Sequence, residues 1–297
     1  MSIRFLFFFL NFSKIRLYLR DRNFYFTQKQ KMLNVRQFVY ENITPYEGDA
    51  SFLCGPTEKT KKLMEKVNAL LKEERDHEGV RAIDNETISS ITSHEAGYID
   101  KDLEMIVGLQ TDEPLKRAMK PFGGIRIVER ALEERGVTIS PKVKEIFQYA
   151  KNHNDAVFSA YDPEIRSYRS KHLLTGLPDN YARGRIIGDY RRLALYGTEK
   201  LIEEKKADFL AIDGDMSDEK VRLREEISSQ IQALKDIAIM AGKYGFDVTR
   251  PAENAKEAIQ WVYFAYLAGV KEQDGAAMSL GNVSSFLDIY IEKDLKA

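Results

Sequence analysis

A nearly unbroken apolar run near the carboxy-terminal end constrains the fold more than any other feature. Residues 254–271 read NAKEAIQWVYFAYLAGVK, and from Ile259 onward a helix of this sequence is apolar on almost every side. Such a helix is buried by neighbours all round rather than along one stripe. The run is shorter than the roughly 20 apolar residues that cross a bilayer. The sequence therefore predicts a buried helix inside a soluble core.

Other segments show the spacing of amphipathic helices. Residues 57–75 place apolar residues at helical spacing on one stripe, namely Leu63, Val67, Leu70 and Leu71. Ser140 followed by Pro141 is typical of a helix start, and the apolar positions that follow are Val143, Ile146, Phe147 and Ala150. Ser217 is expected to cap a long helix that ends at Gly242. Its apolar face is predicted to hold Leu223, Ile227, Ile231, Leu234 and Ala238.

The last residues indicate the beginning of an α/β unit. Residues 275–280 are small and apolar and predict a short buried strand, and residues 284–297 predict a further helix. A parallel strand needs a second strand after its crossover helix, so the unit is unfinished here. We therefore expect a truncated chain, a mainly α-helical fragment of an α/β protein.

Composition excludes several classes of function. Lys+Arg is 45 and Asp+Glu is 46, so no overall charge attracts nucleic acid or an anionic membrane. One cysteine, Cys54, excludes an intrachain disulfide framework and suits a reducing compartment. Its position before a predicted helix could activate a thiol, but no neighbouring base supports that reading over a filler in a turn. The four histidines lack the spacing of a zinc site, so we expect no metal.

Residues 1–31 differ from everything that follows. They hold seven Lys/Arg and one acid, Asp21, together with 7 of the 16 phenylalanines. Neither a signal peptide nor a membrane span fits, because Asn11, Lys14 and Arg16 break the apolar run and no small-residue cleavage site follows. An Arg-rich organelle transit peptide fits better. The composition fits best with translated AT-rich non-coding DNA, a mis-called start, so residues 32–297 form the predicted domain.

The segment 175–197, TGLPDNYARGRIIGDYRRLALYG, concentrates arginines around glycines and tyrosines. Its arginines are Arg183, Arg185, Arg191 and Arg192. Guanidinium groups bind carboxylates and phosphates in bidentate fashion, and glycines let backbone approach a ligand. One reading is a site for an acidic small molecule. The other is an Arg-rich structural loop tied by Asp179 and Asp189, and spacing alone does not decide between them.

Several long blocks resemble the pyruvate formate-lyase (formate C-acetyltransferase) family of glycyl radical enzymes. The resemblance runs from about Asn34 to Ala297. The blocks are TPYEGDASFL (44–53), SSITSHEAGYIDKDLEMIVGLQTDEPLKRAMKPFGGI (89–125), LLTGLPDNYARGRIIGDYRRLALYG (173–197), RLREEI (222–227), NAKEAIQWVYFAYLAGVK (254–271) and GAAMSLGNVSSFLDIYIEKDLKA (275–297).

The resemblance implies a fold and a reaction. Members are cytoplasmic homodimers of anaerobic fermentation with a ten-stranded β/α barrel, which would only begin in this chain. A glycyl radical, installed by a radical-SAM activating enzyme, passes to adjacent cysteines that cleave pyruvate to formate, and coenzyme A accepts the acetyl group. This chain has one cysteine and no Cys-Cys pair. We expect no catalytic residue, no permanently bound cofactor and no glycyl radical in it.

The resemblance also implies binding residues. Arg185 matches the arginine that binds the pyruvate carboxylate, and Ala276 matches a small residue lining the barrel near pyruvate. Positions associated with the coenzyme A surface are Phe158, Arg169, Tyr181 and Asp189.

The chain departs from the family at four positions. Ala182 replaces a common Gly, Leu280 a Phe and Asn282 an Arg. Ile231 stands where a coenzyme histidine is expected, which weakens the coenzyme assignments.

Two functions therefore remain open at this point. The first is an amino-terminal fragment of pyruvate formate-lyase, inactive alone. The second is a non-catalytic helical module that binds acidic metabolites or a partner chain supplying the barrel.

If residues 1–31 are a mis-called start, protein isolated from its source begins at or near Met32. Mass spectrometry of that material should find no peptide from residues 11–25. Detecting such peptides would contradict the assignment, whereas a cleaved precursor would indicate organelle targeting.

Overall fold

The described structure is mainly helical, with two small parallel strand pairs. It is a computed structural model that describes residues 55–119, 129, 132–149, 160–175, 186–273 and 278–297. The elements in chain order are α1 (Glu58–Asp76), β1 (Ala82–Ile88), β2 (Lys116–Met119), α2 (Pro141–Tyr149), α3 (Pro163–Ser170), β3 (Ile186–Ile187), α4 (Arg191–Leu210), α5 (Asp218–Lys243), α6 (Ala255–Gln273), β4 (Met278–Ser279) and α7 (Ser284–Lys296).

Helix α6 is the buried helix that the sequence predicts. Trp261, Phe264, Ala265 and Ala268 are completely buried, and α4 and α7 pack against it. Ile259 is the exception, because it lies at the solvent edge with 36% of its surface exposed. Among the described residues, no helix is long and apolar enough to cross a membrane.

The predicted capping residues are confirmed at two helix starts. The Ser140 hydroxyl accepts the Val143 amide at 3.3 Å, and the Ser217 hydroxyl accepts the Lys220 amide at 3.4 Å. These bonds satisfy amides that have no partner within the helix.

The predicted end of α5 is wrong. Gly242 lies inside the helix, and the chain leaves it at Gly245, which has φ 82°. The Phe246 amide then returns to the Ala241 carbonyl at 3.0 Å. A glycine in the left-handed region is the usual residue just past a helix end.

The predicted face of α5 is only partly right. Ile227 and Leu234 are buried and Ile231 and Ala238 are half-buried, but Leu223 is exposed because the first turns of α5 extend beyond the core. The buried stripe instead continues through Ala233, Ile237, Met240 and Ala241.

The strand predicted at 275–280 is present at Met278–Ser279, but it is not buried there. Met278 is half-buried, whereas Ser279 and Leu280 are exposed. In the described part of the chain, β4 pairs only with β3, so no second neighbour covers it.

The pairing of β1 with β2 is a feature that sequence periodicity did not predict. The two strands are parallel, with Ala82 opposite Lys116 and Ile88 opposite Met119. They build a small second core with α2, in which Met119, Leu132 and Val143 are buried.

Helix α4 is broken at Gly197, and the break connects it to the loop before α6. Gly197 has φ 69° and ψ 167°. The Thr198 amide donates to the Val248 carbonyl at 2.9 Å, and the Ala252 amide donates to the Ala194 carbonyl at 2.8 Å. A Cβ on Gly197 would lie 2.3 Å from the Thr249 carbonyl oxygen, so only glycine fits.

Gly197→Ala should therefore destabilise the fold by about 3–6 kcal/mol, because backbone strain adds to a clash with backbone atoms. Chemical unfolding followed by far-UV circular dichroism measures the change. Gly242→Ala is the matched control. Its Cβ would meet nothing within 4 Å, so the control should be neutral or stabilising by up to about 1 kcal/mol. Equal stability of the two variants would contradict this assignment.

Candidate functional site

Two segments predicted to bind pyruvate lead into one strand pair. Arg185 immediately precedes β3, and Ala276 lies two residues before β4 in the sequence. β3 and β4 are parallel, with Ile186 opposite Met278 and Ile187 opposite Ser279. Four predicted site residues, Phe158, Tyr181, Arg185 and Ala276, lie outside the described residues, as do Cys54 and Asp179.

Asp189, the first predicted coenzyme contact that is described, forms an ion pair within the chain. Its two carboxylate oxygens accept from Arg191, Oδ1 from Nε at 2.6 Å and Oδ2 from Nη2 at 3.1 Å. This hydrogen bonding raises the pKa of the Arg191 guanidinium. Arg192 similarly donates to Glu204 at 3.1 Å. Arg191 and Arg192 are therefore both paired with carboxylates within the chain.

Arg169, the second described contact, lies in the last turn of α3. Its guanidinium carbon is 5.8 Å from the centre of the Tyr161 ring. Arg166 donates from Nε to the Tyr161 carbonyl at 3.0 Å. Arg169 thus lies beside the ring of Tyr161, and Arg166 binds its backbone carbonyl. Together they form a basic and aromatic surface, a combination that binds phosphates and flat ring systems.

The tyrosines of the Arg-rich segment differ in exposure. Tyr190 is 2% exposed and belongs to the main core. Tyr196 is 42% exposed. Tyr190 therefore supports the backbone, and no spacing signal distinguished it from a ligand-facing ring.

The structure also describes three of the four positions at which the chain departs from the family. Ile231 is half-buried on α5, and Leu280 and Asn282 are exposed beside β4. An aliphatic side chain at 231 offers no hydrogen bond to a coenzyme.

A polar cluster around His94 was missed by sequence reasoning. Its Nδ1 lies 2.7 Å from the Ser93 hydroxyl, and its Nε2 lies 3.2 Å from Asp84 Oδ2. Asp84 also accepts a hydrogen bond from the Thr87 amide of its own strand at 2.9 Å. Burial, and then the positive charge of the buried Lys271, lower the pKa of His94 against the opposing effect of Asp84. The cluster joins β1 to the end of α6 and has a structural role.

Metal binding has no support in the part of the chain that the structure describes. There, no group of three His, Cys, Asp or Glu side chains could hold an ion.

Comparison with known families shows which family the chain belongs to. The family described as pyruvate formate lyase-like matches residues 28–297. The chain belongs to the pyruvate formate lyase-like family. It is 54% identical over 274 residues to the formate acetyltransferase of Haemophilus influenzae, covering 90% of this chain and 36% of that protein. The chain thus spans about a third of the length of this relative.

Solved structures agree on the fold. The glycerol-bound B12-independent glycerol dehydratase of Clostridium butyricum matches 80% of this chain and 37% of its own, with TM-score 0.58 and 16% identity. A structure concerned with 1,2-propanediol dehydration in Roseburia inulinivorans matches 82% and 37%, with TM-score 0.55 and 19% identity. At these identities the likeness concerns the fold alone.

The buried His94 predicts a pH dependence of stability. A histidine whose folded pKa is lowered contributes stability above its ordinary pKa of 6.5, and this stability is lost as pH falls through the folded pKa. Thermal unfolding of the full chain should therefore show a larger fall in Tm between about pH 7 and pH 5.5 than that of His94→Gln, which cannot be protonated. An equal fall in both proteins would contradict a buried neutral imidazole.

Proposed function

We propose that this chain is the amino-terminal portion of a formate acetyltransferase, pyruvate formate-lyase. The complete protein would convert pyruvate and coenzyme A to acetyl-CoA and formate in the cytoplasm during anaerobic fermentation. The observation that carries the proposal is the 54% identity to the Haemophilus formate acetyltransferase over 90% of this chain. Residues 32–297 would form the native domain, and residues 1–31 would not belong to it.

The strand pairing supports a pyruvate site at Arg185 and Ala276. Arg185 is bonded to Ile186, which is the register partner of Met278. Consecutive Cα atoms lie about 3.8 Å apart, so the Cα atom of Arg185 is that distance from the Cα atom of Ile186 in β3. A guanidinium there would hold the pyruvate carboxylate through two parallel hydrogen bonds. The methyl side chain of Ala276, entering the neighbouring strand, would leave room for the substrate.

Coenzyme A would contact a basic surface that includes Arg169. The guanidinium of Arg169 and the ring of Tyr161 suit a phosphate and an adenine ring. Asp189 would act indirectly, because its carboxylate is already occupied by Arg191 and would repel a free phosphate. The half-exposed guanidinium of Arg191 is the better contact. Phe158 and Tyr181 would complete this surface as flat stacking partners.

The remaining catalytic groups would come from the portion of the protein that the relatives contain and this chain does not. That portion would supply the adjacent cysteines, the glycyl radical and the rest of the ten-stranded barrel, of which β3 and β4 would be the first strands. A radical-SAM activating enzyme would install the radical, and the complete protein would be a homodimer. The chain alone should release no formate, because nucleophile and radical relay must share one constellation.

Arg185→Lys tests the pyruvate site in the full chain joined to the remaining portion of the Haemophilus relative. We expect kcat/KM for pyruvate to fall about 10- to 100-fold, because a point charge cannot replace the planar fork in a closed site. Formate release after activation measures the rate, and the glycyl radical signal should be unchanged.

Arg222→Lys on the exposed surface of α5 is the matched control and should leave pyruvate kinetics unchanged. Loss of folding in Arg185→Lys, with normal pyruvate kinetics in the surviving protein, would instead indicate a structural arginine.

A further inference from the structure

Strand β3 is too short to define its own position. It has two residues, and its described strand partner, β4, has two as well. An isolated two-stranded pair is marginally stable at best. Whatever fixes β3 therefore lies outside the strand pairing itself.

Tyr190, three residues beyond β3, folds back over the strand end. Burial raises the pKa of its phenol, and hydrogen bonding with the Gly188 backbone opposes that rise. Its ring covers Gly188 so closely that a Cβ there would lie 2.8 Å from the ring carbons Cε1 and Cζ. Gly188 has an ordinary backbone conformation, so the glycine is required by the close approach of the ring.

The other side of Tyr190 contacts α6. The Tyr190 and Tyr266 rings meet edge to face, with centres 5.7 Å apart and planes at 83°. Residues 274–277 connect α6 to β4 in the sequence, and Met278 of β4 packs against the same core as Tyr190. Both strands are thereby attached to the same core, β3 through Tyr190 and β4 through Met278.

We propose that Tyr190 is a positioning residue for strand β3, which it holds in register with β4 by clamping Gly188 against Tyr266. The segments of the proposed pyruvate site, at Arg185 and Ala276, lead into these two strands in the sequence. This inference rests on the proposed pyruvate site for its catalytic consequence, but not for its structural one. Displacements of about 1 Å can cost 100-fold in rate when they move a group that orients a substrate.

Tyr190→Phe separates the clamp from the packing of the core. The variant keeps the ring and its contact with Tyr266 but removes the hydroxyl that bonds to the Gly188 backbone. Tyr263→Phe is the matched control, because Tyr263 is a half-buried tyrosine whose hydroxyl also bonds to a glycine backbone, donating to the Gly108 carbonyl at 2.9 Å.

Hydrogen exchange of the full chain tests the clamp directly. In Tyr190→Phe, amides of residues 186–188 and 278–280 should exchange about five- to tenfold faster, as expected for the loss of one net hydrogen bond. Tyr263→Phe should leave these amides unchanged and affect residues near Gly108 instead. Gly188→Ala, which pushes the ring away, should reproduce the Tyr190→Phe pattern. Unchanged exchange at 186–188 in Tyr190→Phe would overturn the proposal.

Kinetics of the full chain joined to the remaining portion of the Haemophilus relative test the consequence for the substrate. Tyr190→Phe should raise the KM for pyruvate at least about threefold and leave the KM for coenzyme A unchanged, whereas Tyr263→Phe should change neither. Equal effects of the two variants would overturn the positioning role. If Arg185→Lys leaves pyruvate kinetics intact, the proposed site fails instead, and the exchange result alone decides whether the clamp exists.

Discussion

Burial of helix α6 on all sides is the constraint on which the described structure depends. A helix that is apolar all round must be enclosed, so α4, α7 and the loop at 107–109 assemble against it. Two of its buried polar side chains bond to backbone. The amide of Gln260 pairs with both backbone groups of Val107, each at 2.8 Å. The indole of Trp261 donates to the Arg250 carbonyl at 3.1 Å. These bonds fix the irregular segments without leaving buried polar atoms unpaired.

The same helix relates the main core to the candidate site. The Arg-rich segment enters the core at Tyr190, which contacts Tyr266 on α6, and α6 leads on towards β4. The break at Gly197 then turns α4 so that its second half meets the loop before α6. A segment attached to a packed helix in this way is held more precisely than one on a free loop.

Sequence patterns predicted those elements whose signal is local. The all-round apolar helix and the caps at Ser140 and Ser217 depend on neighbours within a few residues, and the structure confirms them. The turn at Gly245, just past the end of α5 at Lys243, was missed because Gly242 and Gly245 both fit the pattern of a helix end and only backbone geometry chooses between them. The parallel pairs β1–β2 and β3–β4 join residues distant in sequence, which no local period reveals.

For the candidate site, too, the sequence provided some features and only the structure provided others. Family resemblance named the residues, and the structure adds that Asp189 is bound to Arg191 and that Tyr190 is a core residue. Both facts depend on which side chains meet after folding. Arg185, Ala276, Phe158 and Tyr181 remain predictions from the resemblance.

The fluorescence of Trp261, the one tryptophan in the chain, tests the central role of α6 most directly. Because its side chain is completely buried, its emission in native buffer should be that of an apolar environment. On unfolding in urea, this emission should shift together with the loss of helical circular dichroism in a single transition. A solvent-like emission in native buffer, or a fluorescence change that precedes the loss of helix, would contradict a fold organised around α6.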